Sequence, residues 1–170
     1  MDYKKHIREV PDFPKKGILF YDITTLLMNP EVFNTMIDDM AKRVSDIKID
    51  KIAAIESRGF IFGAPLAAKL GKPFVPVRKP GKLPYKTIRF DYTLEYGTDA
   101  VEMHSDAVNI GDRVLLVDDL LATGGTIEAA ANLVKKCGGS IAGFVFAIEL
   151  EFLKGKQRLN DSRIESIIKY

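Results

Sequence analysis

The sequence holds a single cysteine, Cys137, so neither an intrachain disulfide nor a cysteine-based zinc cluster can form. Histidine is nearly as scarce. His6 and His104 have no partner at metal-ligand spacing, and both are expected at the surface. No run of about 18 apolar residues occurs, which excludes a membrane-spanning helix. The opening MDYKKHIREV carries charge where a secretion signal needs an apolar core, so the cytoplasm is the expected location. The Asn160-Asp161-Ser162 sequon is accordingly expected to be idle. Charge of one sign is also lacking: 25 basic and 23 acidic residues leave +2, too balanced to require nucleic acid as a partner. Internal repeats and low-complexity linkers are absent. What is there is an ordinary globular balance, 46% hydrophobic and 28% charged over 170 residues. That length matches one domain at about 150 residues each, large enough to bury a core without a covalent staple.

Hydrophobic spacing supplies the elements. Pro11, Pro14 and Gly17 punctuate a loop leading into Ile18-Leu19-Phe20. Asn29-Pro30-Glu31 has the chemistry of a helix start: a capping side chain, a proline at the first helical position and an acid near the positive end. Phe33, Met36, Ile37, Met40, Val44 and Ile47 then follow at spacings of three and four, one apolar helix face. Ile52–Ile55 and Phe74–Val77 are short apolar runs of strand character. Phe60–Leu70 lies between them as a helix stopped by Gly71. Val114–Val117 is apolar on both faces, as a central parallel strand is. Ile127, Ala130, Ala131, Val134 and Cys137 mark a helix face that ends at Gly138-Gly139, which makes Cys137 a small core residue. Ile141–Leu150 and Arg163–Ile168 complete the strands. This alternation predicts an α/β domain over residues 1–170, with a mostly parallel central sheet flanked by helices. Between residues 80 and 104, alternating runs at Thr87–Tyr92 and Ala100–His104 predict a hairpin or mobile flap. Arg78, Lys79, Lys82, Lys86 and Arg89 cluster at its start, either as a solvated loop or as a lid that closes over a phosphorylated ligand.

The most informative segment is the strand Val114–Val117 followed by Asp118-Asp119-Leu120-Leu121-Ala122-Thr123-Gly124-Gly125-Thr126. Ligands of parallel sheets bind outside the carboxyl ends of the strands. Gly124 and Gly125 let successive N–H groups converge on one anion. The following helix adds its positive end, and Thr123 and Thr126 add hydroxyl donors. Ala122–Thr126 therefore has the makings of a monophosphate cradle. It is not a Walker loop, because no lysine follows the glycines in the required place. Asp118 and Asp119 would repel a phosphate, so they are expected to face sugar hydroxyls, a hydrated metal ion or developing positive charge.

Residues 117–126 resemble the phosphoribosyl pyrophosphate signature of the type I phosphoribosyltransferases. Four more segments carry the resemblance, in the family's order: Pro11–Pro14 with Gly17–Ile23; Glu56-Ser57-Arg58-Gly59-Phe60; Arg78–Pro84; and Leu94-Glu95-Tyr96-Gly97. Together they span roughly residues 10–155 and are most similar to the family's adenine-using members. The resemblance implies a purine-salvage transferase that joins adenine to phosphoribosyl pyrophosphate, giving AMP and pyrophosphate. It implies a small N-terminal hood over residues 1–30, a flexible flap, and a cytoplasmic homodimer with no nucleic-acid or membrane partner. Ala122, Thr123, Gly124, Gly125 and Thr126 would hold the 5′-phosphate, while Asp118 and Asp119 face the ribose. Glu56, Ser57 and Arg58 would bind pyrophosphate through a loop that carries a cis peptide between Glu56 and Ser57. Arg78, Lys79 and Lys82 would complete charge neutralisation. Mg²⁺ would bridge substrate oxygens, with no direct protein ligand. Phe20 would stack on adenine while the backbone of Leu19 and Tyr21 reads its edge; without the resemblance, Phe20 is a core aromatic. One member of the family carries a basic residue where Tyr21 stands, a departure that leaves a backbone contact untouched. Glu95 would be the acid/base, and Tyr96 would seal the flap against water.

Two other functions fit parts of this pattern. One is a transferase of the same fold for a 6-oxopurine. The other is a non-catalytic nucleotide-sensing regulator, but a chain of 170 residues at +2 leaves no room for a separate basic nucleic-acid-binding domain.

Overall fold

The computed structural model describes residues 1–94, 97–159 and 162–170. Glu95, Tyr96 and the first two positions of the sequon, Asn160 and Asp161, lie outside the described residues. The chain divides into two compact units, Met1–Asp39 and Met40–Tyr170.

The first unit opens with a 3₁₀ turn over Tyr3–His6. Strands β1 (Arg8–Pro11) and β2 (Leu19–Asp22) then pair antiparallel, with Arg8 opposite Asp22 and Pro11 opposite Leu19. The loop between them is closed by its own polar groups. The Gly17 N–H donates to the Asp12 carboxylate at 2.7 Å, and the Phe13 N–H donates to the Ile18 carbonyl at 3.3 Å. A short helix α1 (Thr24–Leu27) follows, and then α2 (Pro30–Arg43), which runs on into the second unit. As its start predicts, the Asn29 side chain accepts the Val32 N–H at 3.2 Å. Val32, rather than Phe33, joins Met36, Ile37 and Met40 on the buried face. The helix also stops short of Ile47. The Ser45 hydroxyl donates to the Lys42 carbonyl at 2.8 Å, and residues 44–47 close three-residue turns instead of continuing the helix.

The second unit holds the five-stranded sheet. Its strands are β3 (Lys51–Ile55), β4 (Phe74–Val77), β7 (Arg113–Leu121), β8 (Ser140–Glu149) and β9 (Ile164–Lys169). Their order is β4-β3-β7-β8-β9, and every adjacent pair is parallel. Helix α3 (Arg58–Leu70) connects β3 to β4 and ends, as expected, at Gly71 with φ 61°. Helix α4 (Gly125–Lys136) connects β7 to β8. Ile127, Ala130, Ala131 and Val134 are buried on it, and Cys137 is a partly buried residue at its end. Val114–Val117 are wholly buried, as a central strand requires. Strands β5 (Thr87–Leu94) and β6 (Gly97–His104) form an antiparallel hairpin with Thr87 opposite His104. Both histidines are half-buried, not fully at the surface. No helix among the described residues is long and apolar enough to cross a membrane.

One expectation about the central strand needs correcting. Asp118 and Asp119 do not follow the strand; they lie inside it. Strand β7 runs to Leu121 because β8 keeps pairing with it as far as Leu121 opposite Glu149, whereas β3 stops at Ala54 opposite Val117. Two acids amid apolar residues hide a strand from periodicity, but a neighbouring backbone sustains it.

Candidate active site

The site is built where β3 gives out and β7 continues. The loop after β3 carries the cis Glu56–Ser57 peptide that the resemblance implies. It delivers Arg58 to the first turn of α3, beside the acids of β7. The Arg58 Nε lies 2.8 Å from Asp119 Oδ2, and Asp119 is only 6% exposed. Gly59 is what lets this turn sit so close. A Cβ there would stand 2.7 Å from Asp118 Oδ1 and 3.2 Å from the Val117 carbonyl, both inside contact distance.

The two aspartates differ in their surroundings. Asp118 Oδ1 accepts the Asp119 N–H at 2.9 Å. Its pKa is raised well above the ordinary 3.8, first by loss of water and then by the charge of Asp119. Asp119 is raised too, again by burial, with the Arg58 guanidinium opposing the shift. A group that carries partial positive charge would relieve both.

Glu56 turns away from any anion and gathers cations instead. Its N–H is already bonded to the Val77 carbonyl at 2.9 Å. Its nearly buried carboxylate receives Arg78 Nε at 2.7 Å, lies 3.3 Å from the Lys82 ammonium, and accepts the Lys79 N–H at 2.8 Å. Burial works against its charge, but these donors outweigh burial and hold its pKa below the ordinary 4.5. The basic segment is therefore not a loose solvated loop: Arg78 and Lys82 share one buried counter-charge. The Arg78 guanidinium also donates to the Lys82 carbonyl at 3.0 Å, which closes the Pro80-Gly81 turn.

The Lys79 ammonium points elsewhere, onto Asp99 and toward the Tyr92 hydroxyl at 3.4 Å. Tyr92 and Asp99 are directly opposite in the hairpin. The Tyr92 hydroxyl lies 3.1 Å from Asp99 Oδ2 and 3.3 Å from Thr126 Oγ1, so the hairpin base touches both the basic segment and the glycine loop. Neither Tyr92 nor Asp99 is among the expected site residues. The alternation along the two runs is visible in the sequence, but which residues face each other depends on the register.

Leu121 ends β7 and Gly125 opens α4, leaving Ala122, Thr123 and Gly124 as the connecting loop. Gly124 sits at the helix N-cap with φ 84°, a conformation that favours glycine, and no side chain caps the helix. The first N–H groups of α4 thus have no intrahelical acceptor and lack a side-chain substitute. Residues 120–127 and Asp118 line a cavity of about 80 Å³.

The first unit holds the expected base readers. The Phe20 ring meets Phe13 edge-on at 5.1 Å and is only partly buried, so it is no core aromatic; Leu19 is exposed. Among the described residues no group of three or more His, Cys, Asp or Glu side chains could hold a metal ion.

Residues 22–169 match the family model of the phosphoribosyl transferase domain. The chain is 56% identical over 170 residues to an adenine phosphoribosyltransferase of Pseudothermotoga lettingae, covering all of both chains. A crystal structure of adenine phosphoribosyltransferase from Thermoanaerobacter pseudethanolicus superposes with a TM-score of 0.97 at 56% identity, covering 99% of this chain and 98% of that one. The Saccharomyces cerevisiae adenine phosphoribosyltransferase, solved with an imino-altritol bisphosphate and adenine, gives a TM-score of 0.91 at 40% identity, covering 98% of this chain and 96% of the other.

Proposed function

Because this chain belongs to the phosphoribosyl transferase family, and within it to the adenine phosphoribosyltransferases, we propose that it transfers the phosphoribosyl group of phosphoribosyl pyrophosphate to adenine. The bond from C1 to the pyrophosphate oxygen breaks, the bond from C1 to adenine N9 forms, and the N9 proton is lost. AMP and pyrophosphate are the products. One observation carries the reading: a backbone anion cradle and a cluster of cations flank a buried aspartate pair at the carboxyl edge of one parallel sheet.

Each part then has a task. Ala122–Thr126 hold the 5′-phosphate through N–H groups, the hydroxyls of Thr123 and Thr126, and the positive end of α4. Arg58, with Ser57 beside it, meets the pyrophosphate, and Glu56 arranges Arg78, Lys79 and Lys82 so that they can join. Asp118 and Asp119 face the ribose, where a cationic state at C1 favours their charged forms. Glu95 manages the proton on the purine, and Tyr96 keeps water from the cationic sugar. Asp118 and Asp119 are the oxygen donors that would help to hold a Mg²⁺ brought with the substrate. Such an ion supplies charge neutralisation for the departing pyrophosphate. Phe20 stacks on the base in a hood formed by the first residues of the single transferase domain. A cytoplasmic homodimer completes the proposal, and sedimentation velocity tests its size.

Base choice tests the whole reading. Adenine presents a donor at C6 and an acceptor at N1; hypoxanthine reverses both. If the backbone of Leu19 and Tyr21 reads this edge, hypoxanthine meets two mismatched groups at about 1–3 kcal/mol each. Adenine is therefore expected to exceed hypoxanthine by at least about 30-fold in kcat/KM. Isotope-traced product formation over a panel of bases measures this, and comparable turnover of hypoxanthine returns the assignment to a 6-oxopurine enzyme.

A further inference from the structure

The segment between β8 and β9 carries no recognisable motif, yet it is held firmly and touches the glycine loop. It consists of two 3₁₀ turns, Glu151–Leu153 and Gly155–Arg158, joined at Lys154. The Leu150 N–H donates to the Leu121 carbonyl at 2.9 Å, and the Glu151 N–H donates to the Tyr170 carbonyl at 2.9 Å. The Lys156 ammonium lies 2.9 Å from Glu149 Oε2, a carboxylate that is almost wholly buried. Arg158 lies 3.1 Å from Glu128 in the first turn of α4.

These anchors press one buried residue, Gly155, against the loop backbone. A Cβ on Gly155 would stand 2.2 Å from the Ala122 carbonyl oxygen and 3.0 Å from Leu121 Cδ1. A Cβ on Gly124 would stand 2.6 Å from the Gly155 carbonyl oxygen. The shortest contact of each glycine is thus with main chain, which cannot step aside as the Leu121 side-chain end can. Close-packed backbone transmits displacement instead of absorbing it.

We infer that Gly155 is a positioning residue for the 5′-phosphate loop, holding Ala122–Gly124 in the curl that aims the N–H groups at the phosphate. The inference rests on the proposed role of Ala122–Thr126. In Gly155→Ala the Ala122 carbonyl must retreat by on the order of 1 Å to restore ordinary contact, and misplacement on that scale is costly in a preorganised site.

The test is binding by titration calorimetry on the full chain, with AMP, ribose 5-phosphate and inorganic pyrophosphate as probes. Gly155→Ala is expected to weaken AMP and ribose 5-phosphate by about 10-fold or more while pyrophosphate stays within about 2-fold, a split that general structural damage does not produce. Lys156→Met loosens the segment without touching the loop. It is expected to move the same two affinities by about 3-fold and to decide the matter should Gly155→Ala fail to fold. Unchanged AMP affinity in the folded variants, or equal loss of AMP and pyrophosphate, overturns the inference. Thr126→Ala separates the premise from the conclusion. If it leaves AMP binding intact, the phosphate reading fails. If it weakens AMP while Gly155→Ala does not, only the role of Gly155 fails.

Discussion

The two regions proposed to bind anions are made in opposite ways. The glycine loop at residues 122–126 uses main-chain N–H groups, a helix end and hydroxyls, and it brings no full charge of its own. The region around Glu56 uses side-chain cations, and each is already partnered: Arg58 by Asp119, Arg78 and Lys82 by Glu56, Lys79 by Asp99. A phosphate entering the loop would find its main-chain donors ready. A pyrophosphate entering the other region must exchange partners with carboxylates. On the proposed roles the loop would owe its affinity to shape, and the cation cluster would owe its affinity to a balance of charges.

The acid that links the two regions gives the largest expected effect. Asp119→Asn removes the charge proposed to face the ribose and also removes the ion pair to Arg58. If the charge stabilises a cationic sugar, kcat falls by roughly 10²-fold or more while pyrophosphate binding does not weaken. If Asp119 serves only to hold Arg58, kcat is nearly unchanged and pyrophosphate affinity moves instead. Steady-state kinetics beside pyrophosphate titration distinguishes these outcomes.

Glu56→Gln attacks the balance of charges directly. Charged hydrogen bonds of about 1.5–3 kcal/mol are lost from the cluster, so pyrophosphate affinity is expected to drop about 10-fold or more, and AMP affinity to stay level. The same carboxylate sets an acid limit. Its folded pKa lies below 4.5, so its stabilising contribution is complete above the unfolded value and disappears as pH falls through the folded one. Thermal melts below pH 5 should show a shallower acid decline in Glu56→Gln than in the parent protein. Identical acid limbs would remove Glu56 from its organising role.

Arg58→Lys is milder. The charge stays and the planar fork is lost, about one net hydrogen bond of 0.5–1.5 kcal/mol, or roughly 2- to 10-fold in pyrophosphate affinity. Loss of AMP affinity in parallel would mean that the two regions are not independent.

The same contrast decides how much of the fold and the site is legible in the sequence. The glycine loop is legible because local chemistry makes it: small residues, hydroxyls and the helix start are consecutive. Helix α3, its Gly71 stop, the hairpin and the strand at Ile164 are legible for the same reason. The cluster's cations can be named from the sequence, but their arrangement cannot, because Glu56 and Arg78 lie 22 positions apart and meet only when β3 pairs with β4. The full length of β7 depends on β8, and the contact between Gly155 and the loop depends on a segment whose own residues show no periodicity. Strands β1 and β2 escape a sequence reading because Pro11 and Pro14 mark a loop, whereas the pairing is supplied across it.

The smallest expected effect concerns Asp118, where function and stability oppose each other. Its folded pKa is raised well above 3.8, by burial first and by Asp119 second. A carboxyl that binds its proton more tightly when folded costs stability as pH climbs from its unfolded value through its folded one, and the whole cost is present above that. Asparagine does not titrate, and its side-chain oxygen can still accept the Asp119 N–H now held at 2.9 Å. Asp118→Asn is therefore expected to melt higher than the parent at pH 8, by about 2–4 °C if the charge costs about 1 kcal/mol in a chain of this size. Well below pH 3.8 the two should converge, because the carboxyl is then protonated in the folded and the unfolded chain alike. The stabilised variant should at the same time turn over more slowly if the displaced charge is, as proposed, the one that faces the ribose. Melting points that coincide at both pH values would mean that Asp118 carries its charge without cost, and the opposition between stability and catalysis at this position would vanish.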